Sequence, residues 1–512
     1  MANLMDTWPY GYYQALFYAL GVTCGIIIHY SIFIHGEWHI QAPHIIISHA
    51  STALFLILGS RFAPDETAVV CGILNSIFWG YLPGIVLSII FYRVFFHRLT
   101  KAGFPGPWYA PMSKIWHVWA ARKSQNHLVL AKLHERYGDF VRTGPAEVTI
   151  FTPDVFMKTD GPGNKCVKSE FYDLLEGINY PALVNTRVGE IHAARRREWR
   201  PGFSAKALQL YESRILPHLD EFDRLIEADA ISHRPSSLRD YMYWFGFDAM
   251  GEFVFSNSFS MLENRDAGPI ITRLQNALSI LGPLTPTPWL LHVGLRMAPR
   301  VGVVKDWYDT LEWCSSQMRC RLNNARSNTM DNSREDLAHY LMEDNNNKDR
   351  GTANGRNGSL SWLTGDSLLA IVAGSDPTTV TLIGLFAELA KHPVHAEKIL
   401  EEVADVDVRD FRTLSGLPHL NGVIKETLRL YPSLLSGGSR KTQENGITIG
   451  GRLIPPFTTI VCPRYSINRR ADCFEKPLDF IPERWTTSPN MIKNKNGYTP
   501  FGTGMKPSLR TS

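Results

Sequence analysis

Four segments of this 512-residue chain carry side chains whose types and spacing suit chemistry. In Leu369–Thr379 (LAIVAGSDPTT), Gly374 and Pro377 stand three apart inside an apolar, helix-periodic run from about Gly365 to Lys391, which Pro393 terminates. Glycine and proline in a helix interior give up roughly 1 and 3 kcal/mol of propensity. Two readings follow: a kinked groove where a ligand approaches the backbone and Asp376 with Thr378 or Thr379 passes protons, or an ordinary packing kink. The second segment, Leu420–Pro432, is an apolar-faced helix with Glu426 and Arg429 three apart on one side, which alone reads as a surface ion pair. The third, Phe480–Trp485, adds Arg484 in a proline-rich stretch, and the fourth, Phe501–Ser508, is a glycine-rich loop. No one of the four is specific by itself.

The elements expected to position them are mostly helical. Periodicity of 3.6 marks Asn126–Tyr137, Lys206–Ala228, Ile270–Leu281 and Val304–Ala325. Strand-like runs are short: Phe140–Thr143, Val148–Phe151, Ile447–Ile449 and Thr459–Cys462, with a tight turn at Gly450-Gly451. The Asn-, Asp- and Gly-rich stretch Glu343–Ser359 lacks periodicity and predicts a solvated loop. Residues 115–512 therefore read as one mostly α domain with small β-sheets.

The first hundred residues differ. No Asp, Glu, Lys or Arg occurs between Tyr10 and Ile34, and apolar stretches recur at 42–60 and 67–92, the last containing Pro83. A bilayer needs about 20 apolar residues, so residues 1–100 predict a membrane anchor of up to three helices, with one span or three both consistent. A cleavable signal peptide is the competing reading of the first stretch, but no basic segment precedes it. Positive charge collects just after the third stretch, at Arg93, Arg98, Lys101 and Lys114, which puts the main body in the cytosol. Residues 101–114, with their Pro/Gly cluster, read as a stiff hinge.

Composition excludes other classes. Lys plus Arg number 53 against 49 Asp plus Glu, a formal net charge of +4 without a long basic run, so nucleic acid is not an expected partner. The seven scattered cysteines form no CxxC pair, which argues against a disulfide framework and a zinc cluster.

Together and in this order, the four segments resemble the cytochrome P-450 haem-thiolate monooxygenases, of the membrane-bound fungal type, over about residues 103–510. Glu426 and Arg429 match the family's ExxR pair, and Arg484 matches the arginine completing a buried Glu-Arg-Arg cluster that supports the haem pocket. The resemblance implies that Asp376 and Thr378 are the acid and alcohol of the long distal helix, where dioxygen binds and protons are relayed. His192–Ser204 (HAARRREWRPGFS) looks like the segment that reaches the haem propionates. His192 and Arg196, joined by Arg440 and Lys506, are thus implied as cofactor-binding residues, since such cations pair well with carboxylates. The implied cofactor is haem b. The implied reaction inserts oxygen from O2 into a small lipophilic substrate, such as a secondary metabolite. Membrane lipid is an implied partner, and so is a separate reductase, because no flavin or nicotinamide fingerprint occurs.

The chain departs from the family pattern at three places. Pro377 intervenes between acid and alcohol. Ser508 and Arg510 stand where the pattern has the ligand cysteine and a glycine, so no metal ligand is assigned in this chain. A seryl hydroxyl lacks the electron donation by which a thiolate promotes O–O cleavage, and Cys462 and Cys473 read as buried structural thiols. The end at Ser512 also predicts a domain lacking the family's carboxyl-terminal proximal helix. The alternative reading is therefore a catalytically inactive or incomplete member of the family.

Overall fold

The computed structural model describes residues 10–173, 180–326, 335–348, 355–436 and 438–503. It opens with three long helices, α1 (Tyr10–Ile28), α2 (Ala42–Phe62) and α3 (Asp65–Phe91), and α1 and α3 each continue through a wider π turn, to Phe33 and Phe96. All three are long and apolar enough to cross a membrane. Leu20, Ile27, Leu54, Phe55, Val86 and Leu87 face outward, exposed.

α1 and α3 lie in close contact because each presents glycines four apart. A Cβ added at Gly25 would stand 2.5 Å from the Tyr81 carbonyl oxygen, and one at Gly84 would stand 2.5 Å from that of Val22. Gly21 and Gly80 abut the backbones of Ile77 and Tyr18 in the same way. Two GxxxG motifs thus face each other, the arrangement that lets membrane helices gain van der Waals contact without a hydrophobic driving force. Hydropathy reading passes over this pair. Polar side chains turn inward: His29 Nδ1 lies 2.8 Å from Ser88 Oγ, and His49 Nε2 lies 3.1 Å from Tyr81 OH.

The end of the third helical segment is tied to the body. The buried Arg142 donates Nη1–H to Thr100 Oγ1 (2.6 Å) and Nη2–H to the carbonyls of Arg93 (3.2 Å) and Pro145 (2.8 Å). The Pro/Gly cluster is docked, too: Arg142 N–H donates to the Pro105 carbonyl at 2.7 Å, and Phe104 is buried beneath the Arg452 guanidinium, 4.0 Å from its ring.

The body is mostly helical with two small sheets, as expected. α4 (Asn126–Tyr137) precedes the strands β1 (Phe140–Gly144), β2 (Glu147–Ile150) and β3 (Cys166–Lys168). Then come α5 (Gly189–Trp199), α6 (Ala205–Ile231), α7 (Leu238–Phe255), α8 (Gly268–Ser279), α9 (Pro288–Met297), α10 (Gly302–Arg326) and α11 (Leu337–Lys348). The longest, α12 (Gly355–Lys391), is followed by α13 (Pro393–Val403) and α14 (Pro418–Leu430), and the strands β4 (Arg440–Thr442), β5 (Ile447–Ile449), β6 (Arg452–Ile454) and β7 (Thr459–Val461) close the sheets. The larger sheet has the order β1-β2-β7-β4-β3, with β2 and β7 parallel and the other neighbours antiparallel; β5 and β6 form a hairpin.

One core gathers Phe247, Val254, Ile271, Cys314, Met318, Leu341, Leu363 and Ile371 from α7, α8, α10, α11 and α12. A second, of Val148, Ile150, Val155, Phe156, Ile460 and Cys462, lies against the sheet. α12 is also apolar and long enough to cross a membrane, yet its Leu363, Ala370 and Ile371 are shared with the first core, so it is an interior helix of the body.

One expectation is corrected here. Glu343–Ser359 is not a loop throughout, since α11 runs to Lys348 and α12 begins at Gly355; residues 349–354 lie outside the described ones. Once the apolar turns nucleate each helix, every further residue needs only one more hydrogen bond, so polar residues are carried along. Of the two readings of Gly374, the structure fits the packing one: the Met250 side chain of α7 fills the space where its Cβ would stand.

Candidate active site

The structure brings Glu426, Arg429 and Arg484 together, all fully buried. Glu426 and Arg429 are neighbours because they lie three apart on α14, whose other face packs Val423 and Leu430 against Phe480. The Glu426 carboxylate accepts Nε–H (2.9 Å) and Nη2–H (2.8 Å) from Arg429 and Nε–H from Arg484 (3.0 Å). It also accepts the Trp485 indole N–H at 2.8 Å and the Ile481 backbone N–H at 3.0 Å. Remaining guanidinium protons go to carbonyls: Arg429 to Asn468 (2.8 Å) and Pro477 (2.6 Å), Arg484 to Glu475 (2.8 Å) and Lys476 (3.2 Å). A buried charge persists only when paired and hydrogen-bonded in this way. Trp485, one residue past Arg484, is a member that sequence reading did not single out.

A second constellation lies on α12. Asp376 is half-buried, and burial raises its carboxyl from its ordinary value even though the Tyr243 hydroxyl donates to it at 3.1 Å. Thr378 does not join it. Residues two apart on a helix point to different faces, and Thr378 is exposed. The buried hydroxyl next to it, Thr379, donates to the Met242 carbonyl at 3.1 Å instead. The hydroxyl held on Asp376 belongs to Tyr243 of α7, at a sequence distance no local pattern reveals.

The third constellation is cationic. His192 lies on the first turn of α5, half-buried, and burial together with the charges of Lys168, Arg196 and Arg440 holds its imidazole down at about 4. β3 and β4 pair so that Lys168 stands opposite Arg440. Arg440 donates Nη1–H to Tyr172 OH at 2.6 Å and pairs through Nε with Asp160 at 2.6 Å. Burial and the nearby Arg440 lower the Lys168 ammonium to about 8 while it donates to the carbonyls of Val184 and Thr186, each at 2.9 Å. Arg464, beyond β7, is buried in the same neighbourhood, over the Phe156 ring and donating Nε–H to the Thr499 carbonyl at 3.2 Å. Burial lowers its pKa, the mark of a cation short of counter-charge. Lys168 and Arg464 escaped sequence reading because neither sits in a recognisable spacing.

Arg195 behaves differently from Arg196 beside it. It is buried and bridges Glu198 and Asp366 of α12, whereas Arg196 is exposed. The glycine-rich loop reaches this region: Thr503 donates to the Phe156 carbonyl at 2.8 Å. Lys506 and Ser508 lie outside the described residues.

The residues present fit the periphery of a haem. Two propionates need positive charge and hydrogen-bond donors gathered at one edge; Lys168, Arg196, Arg440 and Arg464 lie together as cations, the neutral His192 imidazole lies beside them as a donor, and Asp160 is the carboxylate paired with Arg440. No thiolate is offered by Cys462 or Cys473, both buried and pushed up by burial to about 12.

Beside α12 lies a cavity of about 150 Å³ whose lining is apolar, including Leu274, Leu281, Trp307, Leu369 and Val372. Its other wall is Tyr180, Ala182, Val184 and Asn185, pressed so closely on α12 that a Cβ at Gly365 would stand 2.8 Å from the Tyr180 carbonyl. Asp376 follows Val372 by four and Leu369 by seven, so it continues the cavity-facing stripe.

Comparison with known proteins agrees with this arrangement. The family model described as Cytochrome P450 matches residues 105–506. The chain is 32% identical over 507 residues to the cytochrome P450 monooxygenase FCK2 of Fusarium pseudograminearum, covering 97% of this chain and 88% of that protein. It is 31% identical to the cytochrome P450 monooxygenase notG' of Aspergillus versicolor, with 96% and 88% covered, and 29% identical to the tryprostatin B 6-hydroxylase of Aspergillus fumigatus, with 94% and 84% covered. A buried Glu-Arg-Arg cluster, a long interior helix bearing an acid, a cationic edge and similarity along nearly the whole chain have one common explanation: this chain belongs to the cytochrome P450 family of haem monooxygenases.

Proposed function

We propose that the protein is a membrane-bound haem monooxygenase that hydroxylates a small lipophilic molecule, of the kind made in secondary metabolism. The observation that carries this reading is the apolar cavity of about 150 Å³ lying along the face of α12 that Asp376 continues. A polar substrate would leave its hydrogen-bonding groups unpaired in such a lining. One relative is named as a tryprostatin B 6-hydroxylase, and hydroxylation is the reaction carried over.

When bound, haem b supplies the binding and activation of dioxygen. The chain's own residues do the rest. His192, Arg196, Arg440 and Lys168 would hold the propionates, and Lys506 is assigned to the same role. Glu426, Arg429 and Arg484 fix the scaffold beneath. The Asp376 carboxyl, its proton affinity raised by burial, accepts the Tyr243 hydroxyl and is the group that takes up and hands on protons toward the cavity. Thr378 is the alcohol the family pattern assigns to this relay, but it is exposed and turned from Asp376, and in this reading Tyr243 takes that part. Leu369, Val372 and Trp307 exclude water.

Residues 1–100 form the anchor, 101–114 the hinge and 115–512 the catalytic domain. Three spans place the amino end in the lumen of the endoplasmic reticulum and the body in the cytosol. Arg93, Arg98 and Lys101 support this orientation, as does the contact of the loop between α1 and α2 with the body. Members of this family draw electrons from a redox partner, here a separate reductase.

Ser508 favours a second reading, in which the protein keeps the fold and its apolar cavity without oxygen insertion. The test is the carbon monoxide difference spectrum of the haem-reconstituted protein beside the Ser508→Cys/Arg510→Gly variant. A thiolate-type, red-shifted Soret band in the protein as it stands supports the monooxygenase. Its absence there and its appearance in the variant establish the inactive reading, and its absence in both overturns position 508 as the ligand site.

A further inference from the structure

The loop Gly36–Gln41, between α1 and α2, grips the body. Its Glu37 carboxylate accepts Nη1–H (2.7 Å) and Nη2–H (3.2 Å) from Arg187 and the Lys441 ammonium at 2.6 Å. His39 Nε2 lies 3.1 Å from Asp173 Oδ2, and Arg296 of α9 donates to the Ile40 carbonyl at 3.3 Å. Arg187 also pairs with Asp173 and donates Nε–H to the Lys168 carbonyl at 3.1 Å.

Arg187 closes the segment 180–187, whose first half is the cavity wall. That segment has no helix or strand of its own. Its inner edge is fixed by the Leu183 N–H donating to Asp366 Oδ1 of α12 at 2.8 Å, and its middle by Lys168 on the Val184 and Thr186 carbonyls. Its outer edge is held through Arg187 by Glu37. A segment without backbone ladders owes its position to such side-chain contacts and sits at the low-stability end of the molecule. Burial raises the Glu37 carboxyl, but hydrogen bonds from Arg187 and Lys441 outweigh it and hold it at about 2, so the latch stays ionised at ordinary pH.

We propose that Glu37 is a positioning residue: the loop joining the first two helices latches the cavity wall 180–187, so that access to the apolar cavity depends on how the anchor meets the body. This rests on reading that cavity as the substrate site. It makes the anchor a part of the access route and not only a tether.

Hydrogen–deuterium exchange of the full chain in phosphatidylcholine nanodiscs tests it. Glu37→Gln should raise exchange in peptides covering 180–188 about tenfold while leaving those of α12 unchanged, and Glu37→Asp, which keeps the charge, should restore most of the protection. The association rate of the apolar fluorophore N-phenyl-1-naphthylamine should rise in parallel in Glu37→Gln. Unchanged exchange at 180–188, an increase spread over the whole body, or no recovery with Asp overturns the latch. Faster exchange without faster probe association overturns its link to access. Neither measurement needs haem or turnover, so a failure of the monooxygenase reading is seen separately.

Discussion

Replacing Glu426 by glutamine is the sharpest test of how the body is held together. The carboxylate accepts five hydrogen bonds and is the counter-charge for two guanidiniums that are fully buried. Glutamine keeps the shape but removes the charge, and its amide NH2 must face Arg429, Arg484 or the Trp485 indole, each of them a donor. Breaking a buried pair by removing one partner costs about 3–5 kcal/mol, because the other charge is left uncompensated. With an unfolding entropy of about 2.1 cal/mol/K per residue, the roughly 400 residues of the body lose about 0.8 kcal/mol per degree at the midpoint. Glu426→Gln should therefore lower Tm by about 4–6 °C, read by far-ultraviolet circular dichroism in nanodiscs. The same mechanism requires that Glu426→Leu/Arg429→Met/Arg484→Met, which removes the charges together, lose less than Glu426→Gln alone. A shift under 1 °C, or a triple variant that is the worse of the two, refutes the reasoning.

Gly84→Leu should separate α1 from α3, since even a Cβ there stands 2.5 Å from the Val22 carbonyl oxygen; fluorescence transfer between probes on the two helices in vesicles should fall, while Gly72→Leu, at an open position, leaves it unchanged. Thr379→Val removes a buried hydroxyl that donates to Met242 and should cost about 1 kcal/mol in urea unfolding, whereas Thr378→Val, at an exposed site, should be near neutral. His192 is held down at about 4 when folded against 6.5 in the free chain, so its contribution to stability is complete above pH 6.5 and is lost as pH falls toward 4; His192→Gln should flatten that limb of the pH–stability curve. Haem should move the His192 titration upward, read by histidine-selective NMR, because propionate charge would offset that of Lys168, Arg196 and Arg440.

Much of the architecture is legible in the sequence, and the reason is local. Hydropathy alone marks Tyr10–Ile34, 42–60 and 67–92, because a helix in lipid must satisfy its backbone internally and be apolar all round. Asn126–Tyr137 and Ile447–Ile449 follow from side-chain periods of 3.6 and 2. Glu426 and Arg429 meet because three residues is nearly one helical turn, and the order of motifs brings in Arg484. Tertiary structure alone decided the rest, since it depends on which faces meet. Thr378 drops away from Asp376 and Tyr243 takes its place because α7, more than 130 residues earlier, crosses α12 there. Gly374 is a packing site because Met250 happens to lie opposite. Lys168 and Arg464 enter the cationic edge because β3, β4 and β7 share one sheet. The two GxxxG motifs are visible in the sequence, but only the crossing of α1 and α3 shows that they face each other. Glu37 grips Arg187 across 150 residues for the same reason: a period of 3.6 or 2 states which residues share a face and is silent about what that face will touch.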